Sequence, residues 1–287
     1  KYHIQKFILL NPALIAAITL IVLNYLNYTY LTWIILGAGF LLFGLPHGAL
    51  DNYIENSQPN KTITYKFAIT YILTGLSMGL IWWLQADIAL IIFIAFSASH
   101  FGEADFYEWQ FQNRIKSFVW GLFCLFSIFI FHFEETLSIL RLMKTNYIIS
   151  IIESTNNYFM LMIIALMAVF SFENNSSRIN GNLIRSILFL ICISFLPLIE
   201  AFGVFFIFHH SLHGWKHLKI GMRSSTSELW LRAAPFTLLA IVFFVLFLLF
   251  FENIEDKHWP LFFIFLSIIS FPHAIAMHSY YLRLKLK

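Results

Sequence analysis

Long apolar runs separated by short polar clusters fill this chain from one end to the other, and that alternation limits what it can fold into. Within lipid, a single segment satisfies all its backbone N–H and C=O groups only as an α-helix, so runs of this kind read as membrane spans. They lie near 7–23, 30–48, 67–84, 88–102, 117–133, 158–172, 184–197, 200–217, 233–251 and 260–282. That gives about ten transmembrane helices, with about eight as the lower bound, because the fourth, sixth and seventh runs are short for a bilayer. Pro197 and Glu200 divide the seventh run from the eighth, and one kinked helix is the alternative there. Hydrophobic residues make up 60% of the 287 and charged residues 11%, whereas soluble domains carry about a quarter charged residues. The expectation is one all-α integral membrane domain over 1–287, a polytopic helical bundle. The first run has no small-residue cleavage site behind it and reads as a retained span.

Charge placement orients the bundle. With the N-terminus cytoplasmic, fifteen of the 18 Lys and Arg residues fall on inside segments, and only Arg141, Lys144 and Lys257 fall outside. So strong a positive-inside bias supports ten spans with both termini cytoplasmic, in a cell inner (plasma) membrane. No basic patch interleaved with aromatics suggests nucleic acid as a partner. Cys124 and Cys192 each sit inside an apolar run and read as packing residues. The stretch 134–157 mixes Glu134, Glu135, Arg141, Lys144 and Glu153 with Ile148, Ile149, Ile151 and Ile152, as expected of a short amphipathic helix on the outer surface.

The histidines then separate by side. His47 closes the second run in G-L-P-H-G-A-L-D, and His100 closes the fourth in S-A-S-H-F-G-E-A-D. His213 and His217 close the eighth in F-F-I-F-H-H-S-L-H-G-W-K-H-L, and His273 and His278 lie in the last. All six belong to the inner ends of four spans, while His132 and His258 fall outside and His3 lies at the N-terminus. Ionisable groups within a membrane are costly and mark functional sites. On a helix His213 and His217 stand i and i+4 on one face, with His210 one turn earlier, so the pair can grip one ion. Pro46 and Gly48 break the helix around His47. Asp51, Glu103 and Asp105 lie close enough in sequence to accept the second ring N–H of a liganded histidine. Imidazoles without thiolates suit iron, copper or zinc, and an apolar chain favours oxidative chemistry on an apolar substrate.

G-L-P-H-G-A-L-D, H-F-G-x-A-D and the paired histidines of H-G-W-K-H resemble the Brp/Blh family of β-carotene 15,15′-dioxygenases, membrane enzymes of bacteria and archaea that make retinal. The resemblance covers nearly the whole chain. It implies a mononuclear non-haem Fe(2+) held by His47, His100, His213 and His217. His209 or His210 enters in place of His217 if the pair lies one turn earlier, and His273 is a further candidate. It also implies O2-dependent cleavage of β-carotene at its central double bond, with a functional link to a retinal-binding rhodopsin. The substrate would pass from the lipid bilayer into an aromatic tunnel, for which Phe43, Phe96, Phe101, Phe106, Trp109, Phe206 and Trp215 are candidates.

Other classes remain open from the residues alone. A histidine-box desaturase or hydroxylase would hold two irons, but only one region here has box-like spacing. A metal transporter would string its ligands near the midplane rather than at one face, and a retinal-binding photoreceptor would need a lysine within a span. The topology has a direct check. A cysteine placed at Asn60 is expected to react only with a reagent on the cytoplasmic side, and one at Asn146 only from outside. Reaction of both from one side would refute the span count between them.

Overall fold

The computed structural model describes residues 11–55, 65–155, 157–172, 177–250 and 258–285. His3, Asn60, residues 7–10 of the first run, and the charges Lys1, Lys6, Lys61, Lys257 and Lys287 lie outside these. Every described element is a helix. In chain order they are α1 (Pro12–Tyr25), α2 (Thr29–Ile54), α3 (Tyr65–Leu84), α4 (Ala86–Glu108), α5 (Arg114–Phe131), α6 (Phe133–Leu142), α7 (Asn146–Ser154), α8 (Asn157–Phe172) and α9 (Ser177–Ile193). Leu198–Val204, Phe205–Ser211 and Leu212–Gly221 run on as one helix, α10, and α11 (Thr226–Phe250) and α12 (His258–Lys285) complete the order.

Six of these helices, α2, α3, α4, α5, α11 and α12, are long and apolar enough to cross a membrane among the described residues. The described residues thus form an all-helical fold with six candidate spans. Shorter apolar helices occupy the sixth and seventh expected runs and most of the first. The histidines of α10 dilute its apolar run. Exposed side chains such as Ile72 and Leu76 on α3, and Leu239 and Leu246 on α11, suit a lipid-facing surface.

Local chemistry explains several boundaries. Asn11 caps α1 by accepting the Ala13 N–H, and Asn113 caps α5 by accepting that of Lys116. Pro197 stands at the start of α10, and a turn at 194–196 separates it from α9, so two helices replace the alternative of one kinked span. The amphipathic stretch forms two short helices rather than one. Lys144, at φ 62°, turns the chain between them, with Leu137, Leu140 and Ile149 buried and Glu134 and Glu135 exposed. Asp87 at the start of α4 accepts the N–H of Ile148, which fastens α7 to the bundle.

Helix α4 packs closely on α5. Ala98 and Gly102 face Ser117 and Gly121, a small-residue spacing of four on each helix that lets two backbones touch. A Cβ on Gly102 would run into the Ser117 carbonyl, and one on Gly121 into that of Ala98. Gly121→Val is therefore expected to destabilise the bundle by about 3 kcal/mol or more and to lower the melting temperature in detergent. Gly37→Ala, with nothing within 4 Å of the added carbon, should leave it unchanged. Equal melting of both variants would contradict this packing.

Candidate metal centre

Two helices depart from regular α geometry where they meet. In α2 the residues Phe40–Gly44 form a π turn, and in α10 the residues Phe205–Ser211 form another. Their rings pack against one another, Phe40 with Phe206 at 6.2 Å between centroids. A π turn adds a residue to the helical turn and rotates the next part of the helix about its axis, and such turns concentrate at functional sites. Here the first delivers His47, three residues beyond Gly44, and the second contains His210. Gly214, one turn on, lets the α10 backbone lie against the His47 ring, since a Cβ there would stand 3.2 Å from the His47 Cδ2. On α12, His273 comes directly after Pro272, a residue inside the helix that cannot donate the usual backbone hydrogen bond.

These helices and α4 bring four imidazoles into a closed ring. Centroid distances are 4.7 Å from His47 to His273, 4.9 Å from His273 to His100, 4.6 Å from His100 to His210 and 5.3 Å from His210 to His47. All four are buried. Candidate ligand atoms of His47, His100 and His273 all lie within 4.8 Å of one another. The His47 Nδ1–H donates to the Gly44 carbonyl at 2.7 Å, so its Nε2 carries the lone pair. The His273 Nδ1–H donates to Asp51 Oδ1 at 2.8 Å, again leaving Nε2 as an acceptor. Asp51 is itself held by the Tyr71 hydroxyl, which donates to Oδ2 at 2.8 Å. The Nε2 atoms of His47, His210 and His273, and both ring nitrogens of His100, are buried without a hydrogen-bond partner.

Buried polar atoms almost always have partners, and leaving one unpaired costs about 1–3 kcal/mol. Several such nitrogens in one place are accounted for together by a shared cation. Neutral imidazoles suit a borderline divalent metal, and the carboxylate behind His273 fixes that ring as such ligands require. The residues therefore fit a metal ion. The four histidines also line a cavity of about 500 Å³ whose walls are otherwise mostly apolar, with Phe96, Phe101, Phe206, Phe236 and Phe243 among them.

The sequence-derived candidates divide between this centre and its surroundings. His47 and His100 meet there, joined by His210 and His273, which were the register alternative and the further candidate. His213 and His217 are not brought to it. His213 stands beside Asp105, together with His209, and His217 bonds Glu108 Oε2 and the Tyr281 hydroxyl, each at 3.0 Å. His213 and His217 keep their i, i+4 relation in the regular segment Leu212–Gly221, whereas His210 lies in the π turn before it, where a wheel of 3.6 residues per turn no longer holds. Of the three acidic candidates only Asp51 touches a ring of the centre. Glu103 bonds His278, and Asp105 bonds His209 and accepts the Trp120 Nε1–H. His132 is used structurally, its two ring nitrogens 2.6 Å from the carbonyls of Ile128 and Leu196. Among the expected tunnel residues Phe96, Phe101 and Phe206 line the cavity, while Phe43 and Trp215 pack on Trp230, and Phe106 and Trp109 pack on each other. Tyr71 was missed, because one tyrosine in an apolar run carries no signal of its partner.

No curated protein and no solved structure matches the chain. A family model described as Beta-carotene 15,15'-dioxygenase matches residues 38–281, a stretch that contains every residue of the centre. The chain belongs to the beta-carotene 15,15'-dioxygenase family.

Proposed function

We propose that this protein cleaves the central 15,15′ double bond of β-carotene with O2, yielding two molecules of retinal, at Fe(2+) held by His47, His100, His210 and His273. One observation carries the reading: unpartnered imidazole nitrogens converge where they line an apolar cavity of about 500 Å³. Bound there, iron supplies the redox chemistry that lets O2 react with an otherwise inert alkene. The protein's own residues set the conditions. Gly44 and Asp51 each hold an Nδ1–H, so that His47 and His273 present Nε2. Tyr71 keeps the Asp51 carboxylate turned toward His273. Aromatic walls such as Phe96 and Phe206 keep water away and let one bond of a long apolar polyene rest beside the centre, which fixes where it is cut. The exposed apolar faces of α3 and α11 suit delivery of that substrate from the lipid bilayer. The product would pass to a retinal-binding rhodopsin, and the positive-inside pattern favours the cell inner membrane.

Membranes containing the protein, given β-carotene, are expected to form retinal in an O2-dependent way, read by chromatography. His210→Ala and His273→Ala should each lose bound iron and retinal formation, whereas His132→Ala should keep both if it folds. Asp51→Asn should lower iron affinity or rate by about 10–100-fold. Longer apocarotenals in place of retinal would refute central cleavage, and iron retained by both histidine variants would refute the ligand set.

A further inference from the structure

Outside the cavity a second group of chemistry-bearing side chains meets between α4 and α10. Asp105 Oδ1 lies 3.0 Å from His209 Nε2 and 3.7 Å from His213 Nδ1. Candidate ligand atoms of the three residues all fall within 4.8 Å of one another. None of the three lines the cavity. The other carboxylate oxygen, Oδ2, accepts the Trp120 Nε1–H at 2.9 Å, which fixes the carboxylate. Phe189 and Phe205 stack on the His209 ring at 5.3 and 5.5 Å, which fixes the imidazole. His213 is one helical turn from His209, their centroids 4.8 Å apart.

We propose that Asp105, His209 and His213 form a second metal site, distinct from the four-histidine centre, which takes a borderline divalent cation such as Zn²⁺ and ties α4 to α10. The atom of His209 that faces Asp105, Nε2, has its hydrogen bond, whereas the atom of His213 that faces it, Nδ1, has none. At 3.7 Å the His213 Nδ1 is too far from Asp105 for a hydrogen bond, and that buried atom has no other partner. A cation shared with Asp105 removes this deficit. Ligand atoms of a tetrahedral zinc bound at about 2.1 Å stand about 3.4 Å apart, and the two separations, 3.0 and 3.7 Å, bracket that spacing. Two neutral imidazoles and one carboxylate make a donor set that zinc accepts. The His213 side chain is 27% exposed, against 7% for His209 and 5% for Asp105, so an ion reaches the site from that side. His209 adjoins His210 on α10, and Asp105 shares α4 with His100. Metal here therefore clamps together two helices that line the cavity.

The test is zinc content. Full-length protein purified in detergent is stripped with chelator and dialysed against low-micromolar Zn²⁺, and bound zinc is counted per chain. Two equivalents are expected in wild type and one each in His213→Ala and His273→Ala, because the sites fill independently. Co²⁺ in place of zinc should give the intense visible bands of a four-coordinate ion in His273→Ala, and His213→Ala should lack that contribution. Wild-type zinc content in both His213→Ala and Asp105→Asn overturns the proposal. A wild type with a single equivalent, lost in His213→Ala and kept in His273→Ala, upholds this site and overturns the four-histidine centre instead.

Discussion

Imidazole nitrogen left unpaired inside an apolar helical bundle is the problem that this fold has to solve. Each unsatisfied atom costs about 1–3 kcal/mol. Four rings in a closed cycle, drawn from α2, α4, α10 and α12, repel a purely structural account, because apolar residues of the same shape would pack there at no such cost. A cation bound there would reverse the sign of the term. Bound among these rings, it would turn the cluster into a four-way cross-link between helices.

The devices around that cluster serve its geometry. Two π turns face each other and aim His47 and His210. The small-residue contact of α4 on α5 draws Trp120 up to Asp105, and so settles the polar residues on α4 just beyond His100. Further along α4 and α10, Glu108 bonds His217 and Lys216. Tyr281 on α12 bonds the other nitrogen of His217. That network joins three of the helices supplying the centre without touching the centre itself, so polar residues next to the site divide between chemistry and bracing.

Much of this was legible in the sequence. Apolar runs gave the helices because lipid leaves the backbone no other partner, and P-H-G and H-F-G pointed to His47 and His100. The other two rings of the four-histidine cluster were not legible. A π turn leaves no mark in composition, and the expected interface at Gly214 and Trp215 favoured His213 and His217 over His210. His273 was visible only as a histidine at the correct depth. Its bond to Asp51 spans 222 residues, a pairing that no local spacing encodes. The short helices α6 and α7 appeared as one amphipathic stretch because the turn at Lys144 carries neither Gly nor Pro.

X-ray absorption at the iron edge of protein loaded with Fe(2+) tests the proposed four-histidine centre most directly. Four histidines predict an innermost shell of about four nitrogen donors with strong outer-shell scattering from imidazole rings, and loss of that pattern in His273→Ala. A wild-type shell with two imidazoles and a carboxylate, unchanged in His273→Ala, would place the iron at Asp105, His209 and His213 and contradict the four-histidine centre.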